Sequence, residues 1–343
     1  MMRMTVLASG SKGNSTVIAS SRTRVLVDAG LSCRELLRRM ALAGEDPSAL
    51  DAILITHEHL DHVAGLAVLA RRLRIPVFFT EPTHRAWVRM LTPKTTVSYA
   101  KWLDRLALEK QTREAEQEAR AAAIALESAN ELAGDAPDES CALRSDDPNA
   151  PLELPIEAEP CDADSTTTPA AKADPSFLPA VEYFRAGTNF SIGDIGITPF
   201  TIPHDAADPC GFVFEAEGIR MALATDLGYM PPNVKQAIAG SDVLLLESNH
   251  DLDMLRDGPY PWSVKQRVLS RVGHLSNAAT AEFLARDYDG GAAYIVLGHL
   301  SESNNAPELA RISAEQAIGD RMSLLGNRIL LAAQSAPLAS ICV

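Results

Sequence analysis

Residues Thr56-His57-Glu58-His59-Leu60-Asp61-His62 place three imidazoles and two carboxylates in seven positions. Packed into a core, such a cluster is costly, because every one of these groups needs a polar partner. A metal centre supplies that partner. His57 and His59, two apart at the end of a strand, reach one ion together, while Asp61 and His62, at the start of the next helix, turn to a second. A solvated polar turn is the alternative, and it accounts poorly for so dense a run. Farther along, His204, Asp226, His250 and His299 each stand just after an apolar strand run, as His57 does. Ligands and ions gather at strand ends in layered α/β folds, so five such positions favour one shared site.

The elements that must position these residues are readable around them. Ala52 to Ile55 is a short apolar strand, and Val63 to Arg72 has the apolar spacing of a helix with one buried face. Upstream, Met4 to Ala8 and Thr16 to Ala19 read as strands joined by Ser9-Gly10-Ser11-Lys12-Gly13-Asn14-Ser15. Backbone N–H groups of that loop, with Ser9, Ser11 and Asn14, are candidate anion and substrate contacts, although a plain hairpin turn reads the same way. The loop lacks the Gly-Lys-Ser/Thr ending of a phosphate loop. Arg24 to Gly30 is a buried strand carrying Asp28, and Ser32 caps a helix from Cys33 to Ala43 that Gly44 closes. Pro76 to Thr80 is another strand, and His84, on the helix that follows it, has no metal-site context and is expected to be structural. Later strand runs are expected at 195–202, 211–215, 219–224, 243–246, 294–297 and 328–332. Strands alternating with helices in this rhythm predict layered α/β architecture.

At 343 residues the chain can bury a sizeable core. Its net charge of −14 at first argues against a polyanionic partner, but the charge is unevenly spread. From Glu109 to Asp174 there are seventeen acids against five bases, which leaves twenty-eight against twenty-six elsewhere. The body is thus nearly neutral and compatible with a phosphate-bearing substrate. Glu109 to Ala133 reads as a solvated helix, and Gly134 to about Pro179 has too few apolar residues to offset the entropy of ordering. Residues 1–108 and 181–343 are therefore expected to be two halves of one domain, split by an acidic, low-complexity, disordered insertion at 109–180. Five scattered cysteines without a Cys-x-x-Cys pair read as reduced, and Cys210, between Pro209 and Gly211, reads as packed rather than ligating. No apolar run is long enough to span a membrane and no secretory signal is visible, so a cytoplasmic location is expected.

The His-x-His-x-Asp-His run resembles the hallmark of the metallo-β-lactamase superfamily, with Asp28, His204, Asp226 and His299 as further markers in order. Within it the chain looks most like the YycJ/WalJ group, through Ser9 to Ser15, Glu247-Ser248-Asn249-His250-Asp251, Gly258 to Trp262 and Gly273-His274-Leu275-Ser276-Asn277. The resemblance implies an αββα sandwich and a two-metal edge site. In it His57, His59 and His204 hold one ion, Asp61, His62 and His299 the other, and Asp226 bridges them. Imidazole with some carboxylate suits Zn²⁺ or Mn²⁺. The resemblance further implies that Asp61 orients the nucleophile, that His274 helps protonate the leaving group as in RNase Z, and that Asp28, Glu247 and His250 orient ligands. A helix-capping role for His274 stands beside this.

Paired metals suit in-line displacement at a phosphodiester. The expectation is a metal-dependent hydrolase, with DNA as the partner that the resemblance implies and 5′-to-3′ exonuclease action as the activity. The rivals are a small-molecule hydrolase, either a cyclic phosphodiesterase or a thioesterase, and a metal-binding regulatory module without turnover. The regulatory module would lack some ligands, and none is lacking.

Overall fold

Side chains alternate across a strand with period two, so a strand whose both faces are apolar must lie between two layers. Residues Ile219–Ala224 show this directly. Met221 and Leu223 join one buried cluster, while Ala222 and Ala224 join another on the opposite face. The computed structural model describes residues 1–92, Lys110, 174–319 and 326–343.

Among the described residues there are two seven-stranded sheets. The first comprises β1 (Arg3–Ala8), β2 (Ser15–Ala19), β3 (Arg24–Val27), β4 (Ala52–Leu54), β5 (Val77–Thr80), β6 (Val181–Phe184) and β14 (Ile341–Cys342), in the order β14-β1-β2-β3-β4-β5-β6. The second comprises β7 (Phe190–Ile192), β8 (Ile195–Thr201), β9 (Cys210–Ala216), β10 (Ile219–Ala224), β11 (Val243–Glu247), β12 (Tyr294–Gly298) and β13 (Arg328–Leu331), in the reverse sense, β13 to β7. Met4, Ile18 and Val25 meet Phe212, Phe214 and Leu245 in the cluster between the sheets. Outside the first sheet pack α1 (Cys33–Leu42), α3 (Leu66–Leu73) and α4 (Glu81–Leu91), reached after α2 (Leu60–Val63). Outside the second pack α5 (Pro232–Ile238), α8 (Asn277–Arg286) and α9 (Pro307–Ile318), while α6 (Leu252–Asp257) and α7 (Trp262–Val268) come between α5 and α8 in the chain. This is an αββα sandwich.

Each sheet is antiparallel in one half and parallel in the other, β3 to β6 in the first and β10 to β13 in the second. The carboxyl ends of parallel strands leave a crevice where ligands collect. Asp28 follows β3, His57 follows β4, Asp226 follows β10, Glu247 ends β11 and His299 follows β12.

Ser32 caps α1 as expected, its Oγ accepting the Glu35 N–H at 3.3 Å. One expectation changes. The single helix from Val63 to Arg72 is two, because the chain breaks at Gly65, whose N–H donates to the Ala29 carbonyl. A Cβ there would lie 2.1 Å from the Leu31 carbonyl oxygen, so only glycine permits this approach. The one-turn helix thus released carries Asp61 and His62. The acidic stretch at 109–180 lies outside the described residues except for Lys110 and 174–180. Met1–Thr92 and Ala173–Val343 form one compact unit, in which Leu178 is buried in the same cluster as Trp87. Cys33 and Cys210 are buried and free and Cys342 is exposed, while Cys141 and Cys161 lie outside the described residues. Burial pushes the Cys210 thiol up to about 12, which makes it a poor ligand. His84 stacks on Phe79 and Trp87 and shares a 2.7 Å hydrogen bond with the Tyr183 hydroxyl, a structural role.

Candidate metal centre and active site

Three of the residues at these strand ends hold an unusual backbone. Asp28, Asp226 and His299 have φ of 61°, 64° and 54°, and they are three of the five non-glycine residues with positive φ among those described. Left-handed backbone costs a non-glycine residue about 1–3 kcal/mol and persists where its surroundings impose it. At Asp28 the surroundings are visible. Its buried carboxylate accepts the Thr56 N–H at 2.9 Å and the Thr56 hydroxyl at 2.8 Å, and it faces His62 Nδ1 at 2.8 Å.

Five imidazoles converge, and each is backed on one nitrogen. His62 Nδ1 meets Asp28, His299 Nδ1 meets Glu247 Oε1 at 3.0 Å, and His204 Nδ1 meets the Gly273 carbonyl at 3.2 Å. His57 Nδ1 meets the Thr56 hydroxyl at 3.0 Å and His59 Nε2 meets the Asp205 carbonyl at 3.2 Å. A backing acceptor fixes the tautomer and leaves the other nitrogen with a lone pair facing inward. The inward nitrogens of His59 and His204 lie only 3.2 Å apart, and those of His57 and His299, both buried, have no hydrogen-bond partner.

Their mutual distances sort these atoms into groups. Among the described residues four groups have ligand atoms within 4.8 Å of one another: His57, His62 and Asp226; Asp226, Glu247, His274 and His299; and two triads, His57, His59 and His204, and Asp61, His62 and His299. Asp226 lies between them, with Oδ1 3.5 Å from His299 Nε2 and 3.9 Å from His204 Nε2, and Oδ2 3.5 Å from His62 Nε2. The structure therefore brings together all seven ligands expected from the sequence. Asn14, expected as a substrate contact, donates its Nδ2 to Asp61 Oδ2 at 3.2 Å, and the Ser9 hydroxyl accepts the His299 N–H at 2.7 Å. Both are occupied in holding the cradle, while Ser11 is exposed.

Charge explains what the cradle is built to take. Burial pushes the Asp226 carboxyl up, but His299, His62, His57 and His204 outweigh it and hold the group well below the usual carboxylate range. Burial likewise pushes His62 and His299 down, and the carboxylates around them reverse this, holding both rings well above the ordinary imidazole value. Burial dominates at His57, which is held well below it. A buried set of carboxylates and backed imidazoles that draws in positive charge fits divalent cations, and nitrogen with oxygen donors suits this class of metal.

Glu247 proves more central than its motif position indicated. Fully buried, it accepts from His299 and from His274 Nδ1, the latter at 2.8 Å, through the same oxygen. Its Oε2 accepts the N–H groups of Leu227 at 2.5 Å and Leu275 at 3.3 Å. His274 is therefore held by the carboxylate that also holds His299, and it is 22% exposed where His299 is 2% exposed. The helix cap, the other role open to His274, comes from Ser276 instead. His250 is 1% exposed and neither ring nitrogen has a hydrogen-bond partner, so the expected ligand-orienting role is not exercised through a hydrogen bond. Thr56 and Asn249, whose Nδ2 donates to the His299 carbonyl at 2.8 Å, were not foreseen. Thr56 stands at the head of the histidine run and Asn249 within the Glu247–Asp251 motif, which were the available signals.

The metallo-β-lactamase superfamily profile matches residues 8–139 and the β-lactamase superfamily domain profile matches residues 149–299. An exodeoxyribonuclease YycJ of Bacillus anthracis is 31% identical over 320 residues, 93% of this chain and 90% of the relative. This chain belongs to the metallo-β-lactamase superfamily. Within the superfamily it is YycJ/WalJ-like, since an exodeoxyribonuclease WalJ of Streptococcus pneumoniae is also 30% identical over 311 residues, 91% of this chain and 86% of the other. The chain is a metal-dependent hydrolase by this membership and by its ligand set. The metallo-β-lactamase-fold protein YhfI of Bacillus subtilis superposes with a TM-score of 0.56, covering 98% of this chain and 99% of that one, at 14% identity, which is a likeness of fold. Among the described residues no helix is long and apolar enough to cross a membrane.

Proposed function

We propose that the protein is a dinuclear phosphodiesterase that degrades DNA from the 5′ end. The observation that carries the chemistry is the His274–Glu247 pair, an oriented and partly exposed imidazole at the rim of a buried cradle. Likeness to exodeoxyribonucleases over nine-tenths of the chain supports DNA as the substrate. In this reading His57, His59 and His204 would hold one ion and Asp61, His62 and His299 a second, with Asp226 placed to serve both. Zinc and manganese both suit the donors. Such ions supply a water nucleophile at neutral pH and neutralise the phosphoryl oxygens.

The chain's own groups do the rest. Asp61, whose side chain is 23% exposed, orients the attacking water. Glu247 accepts from His274 Nδ1, so the imidazolium form carries its second proton on Nε2, and passing that proton to the departing alkoxide leaves the neutral ring with Nδ1–H still on Glu247. Asp28, Glu247 and Thr56 keep ligand rings in their tautomers, and Ser11 is the hydroxyl that the glycine-rich loop leaves open to substrate.

His274→Ala tests this. It should keep both metals and lose on the order of 10²-fold or more in turnover on a 5′-labelled DNA strand, with a smaller loss on a nitrophenyl phosphodiester, whose leaving group needs no proton. Loss of metal, or an equal defect on both substrates, refutes the proton-donor role. Wild-type protein that cleaves the nitrophenyl ester and leaves DNA intact refutes the DNA assignment, and cleavage of an acylated thiol alone makes it a thioesterase.

A further inference from the structure

From Gly258 to Ala281 the chain has no acid and three cations, Lys265, Arg267 and Arg271, in a protein of net charge −14. Lys265 is committed to the fold, because its buried ammonium donates to the carbonyls of Arg256 at 2.6 Å and Gly258 at 2.8 Å. The two arginines are not buried. Arg267 has a side chain 63% exposed and is paired through Nε with Asp205 Oδ2 at 2.5 Å. Asp205 adjoins the ligand His204, and Arg267 lies near enough to Asp61 to be held, chiefly by Asp205 and in part by Asp61, above its ordinary pKa. Arg271 is exposed, and its guanidinium carbon lies 4.3 Å from the centroid of the half-buried Tyr229 ring.

This placement is anchored to the cradle on both sides. Two residues beyond Arg271, the Gly273 carbonyl backs His204, and the Val272 carbonyl accepts the Asp205 N–H at 3.1 Å. Tyr229 follows Asp226 by three residues, and Gly228 between them sits so close that a Cβ would lie 2.2 Å from the Arg271 carbonyl. Three residues of chain span at most about 10 Å, so Arg271 is tied within that reach of His274, and Tyr229 within that reach of Asp226. Exposed Leu269 and Val272 lie on the same segment. A guanidinium over an aromatic ring is held in place without losing its charge, and it keeps N–H groups for a phosphate.

Resting on the phosphodiesterase reading, we infer that Arg271 on Tyr229, with Arg267, forms a rim that holds a single-stranded polynucleotide beside the cradle and so favours it over small phosphodiesters. Arg271 is a specificity-determining residue in this account, acting on strand binding and leaving the reacting phosphate to the cradle.

The test compares metal-loaded wild type with Arg271→Ala, Arg271→Glu and Arg271→Lys on a short single-stranded DNA and on bis(p-nitrophenyl) phosphate. Arg271→Ala should lower the ratio of kcat/KM for the strand to that for the small ester about 10-fold, mainly through KM, with Arg271→Glu lower still. The slope of log KM against log salt should become shallower by about 0.7, the value for one phosphate contact on a single strand, and Arg271→Lys should restore it. An unchanged ratio, or an equal fall on both substrates with loss of metal, overturns the rim and leaves the phosphodiesterase reading standing. If wild type hydrolyses the small ester but no polynucleotide, the DNA assignment fails, and the rim with it.

Discussion

Glu247→Gln is the most informative single change, because one buried carboxylate serves four donors. Burial pushes its carboxyl up, but the His274 and His299 rings outweigh this and hold it below its ordinary value, so it accepts on both oxygens. Glutamine presents one acceptor and one donor. Whichever way the amide turns, it sets two donors against two, either the Leu227 and Leu275 N–H groups or the two imidazoles. Each buried clash of this kind costs about 1–3 kcal/mol, hence about 2–6 kcal/mol if nothing adjusts. The rings can adjust and the backbone cannot. Turning the amide toward the imidazoles moves their protons to Nε2, which at His299 points into the cradle. The expected result is a 10- to 100-fold weaker ion at the Asp61, His62 and His299 triad, the usual consequence of losing an orienting partner, with the His57, His59 and His204 triad little changed. Competition against a chromophoric chelator should resolve one tight and one weakened ion per chain. Two ions bound as tightly as in wild type, or both weakened alike, would refute the tautomer argument.

Asp226→Ala should differ, because this carboxylate faces ligands of both triads, and elemental analysis should find both ions depleted. Retention of one full equivalent would show that it serves a single triad. His250 is held down to about 4 by burial, against an ordinary value of 6.5. Between those pH values the unfolded chain binds a proton that the folded ring does not, so stability falls as pH drops through this window, by up to about 3 kcal/mol, and levels off below it. Urea unfolding in chelator at pH 7 and pH 5 should therefore show a smaller pH dependence for His250→Gln than for wild type, and identical dependence in the two proteins would dismiss the ring as its source.

The seven candidate metal ligands were legible in the sequence because each stands beside a signal that needs no tertiary information. The histidine run is dense enough to be improbable in a core, and His204, Asp226 and His299 close recognisable strand runs. The arrangement that backs them was less legible. The double acceptance by Glu247 joins residues 27 and 52 positions apart, and no periodicity reports such a contact. The left-handed backbones at Asp28, Asp226 and His299 are imposed by surroundings that exist only in the fold. The break at Gly65 has the same origin, a carbonyl from Leu31 that occupies the space of a side chain. Asn14 and Ser9, read from the loop as substrate contacts, also bond within the protein, Asn14 donating to Asp61 and the Ser9 hydroxyl accepting the His299 N–H.

The division of the ligands along the chain has a consequence for how the molecule can be cut. His57, His59, Asp61 and His62 belong to residues 1–92, and His204, Asp226 and His299 to residues 174–343, so neither length of chain holds either of these two triads, although Asp226, Glu247, His274 and His299 stand together in the second length. The same two lengths pair through β5 with β6 and, at the other end of that sheet, through β1 with β14. Expressed as separate polypeptides, they should be poor folders alone and assemble as a pair. Because each triad draws from both pieces, added zinc or manganese would act as a chemical inducer of their association, turning a catalytic centre into a split-protein sensor for its own metal.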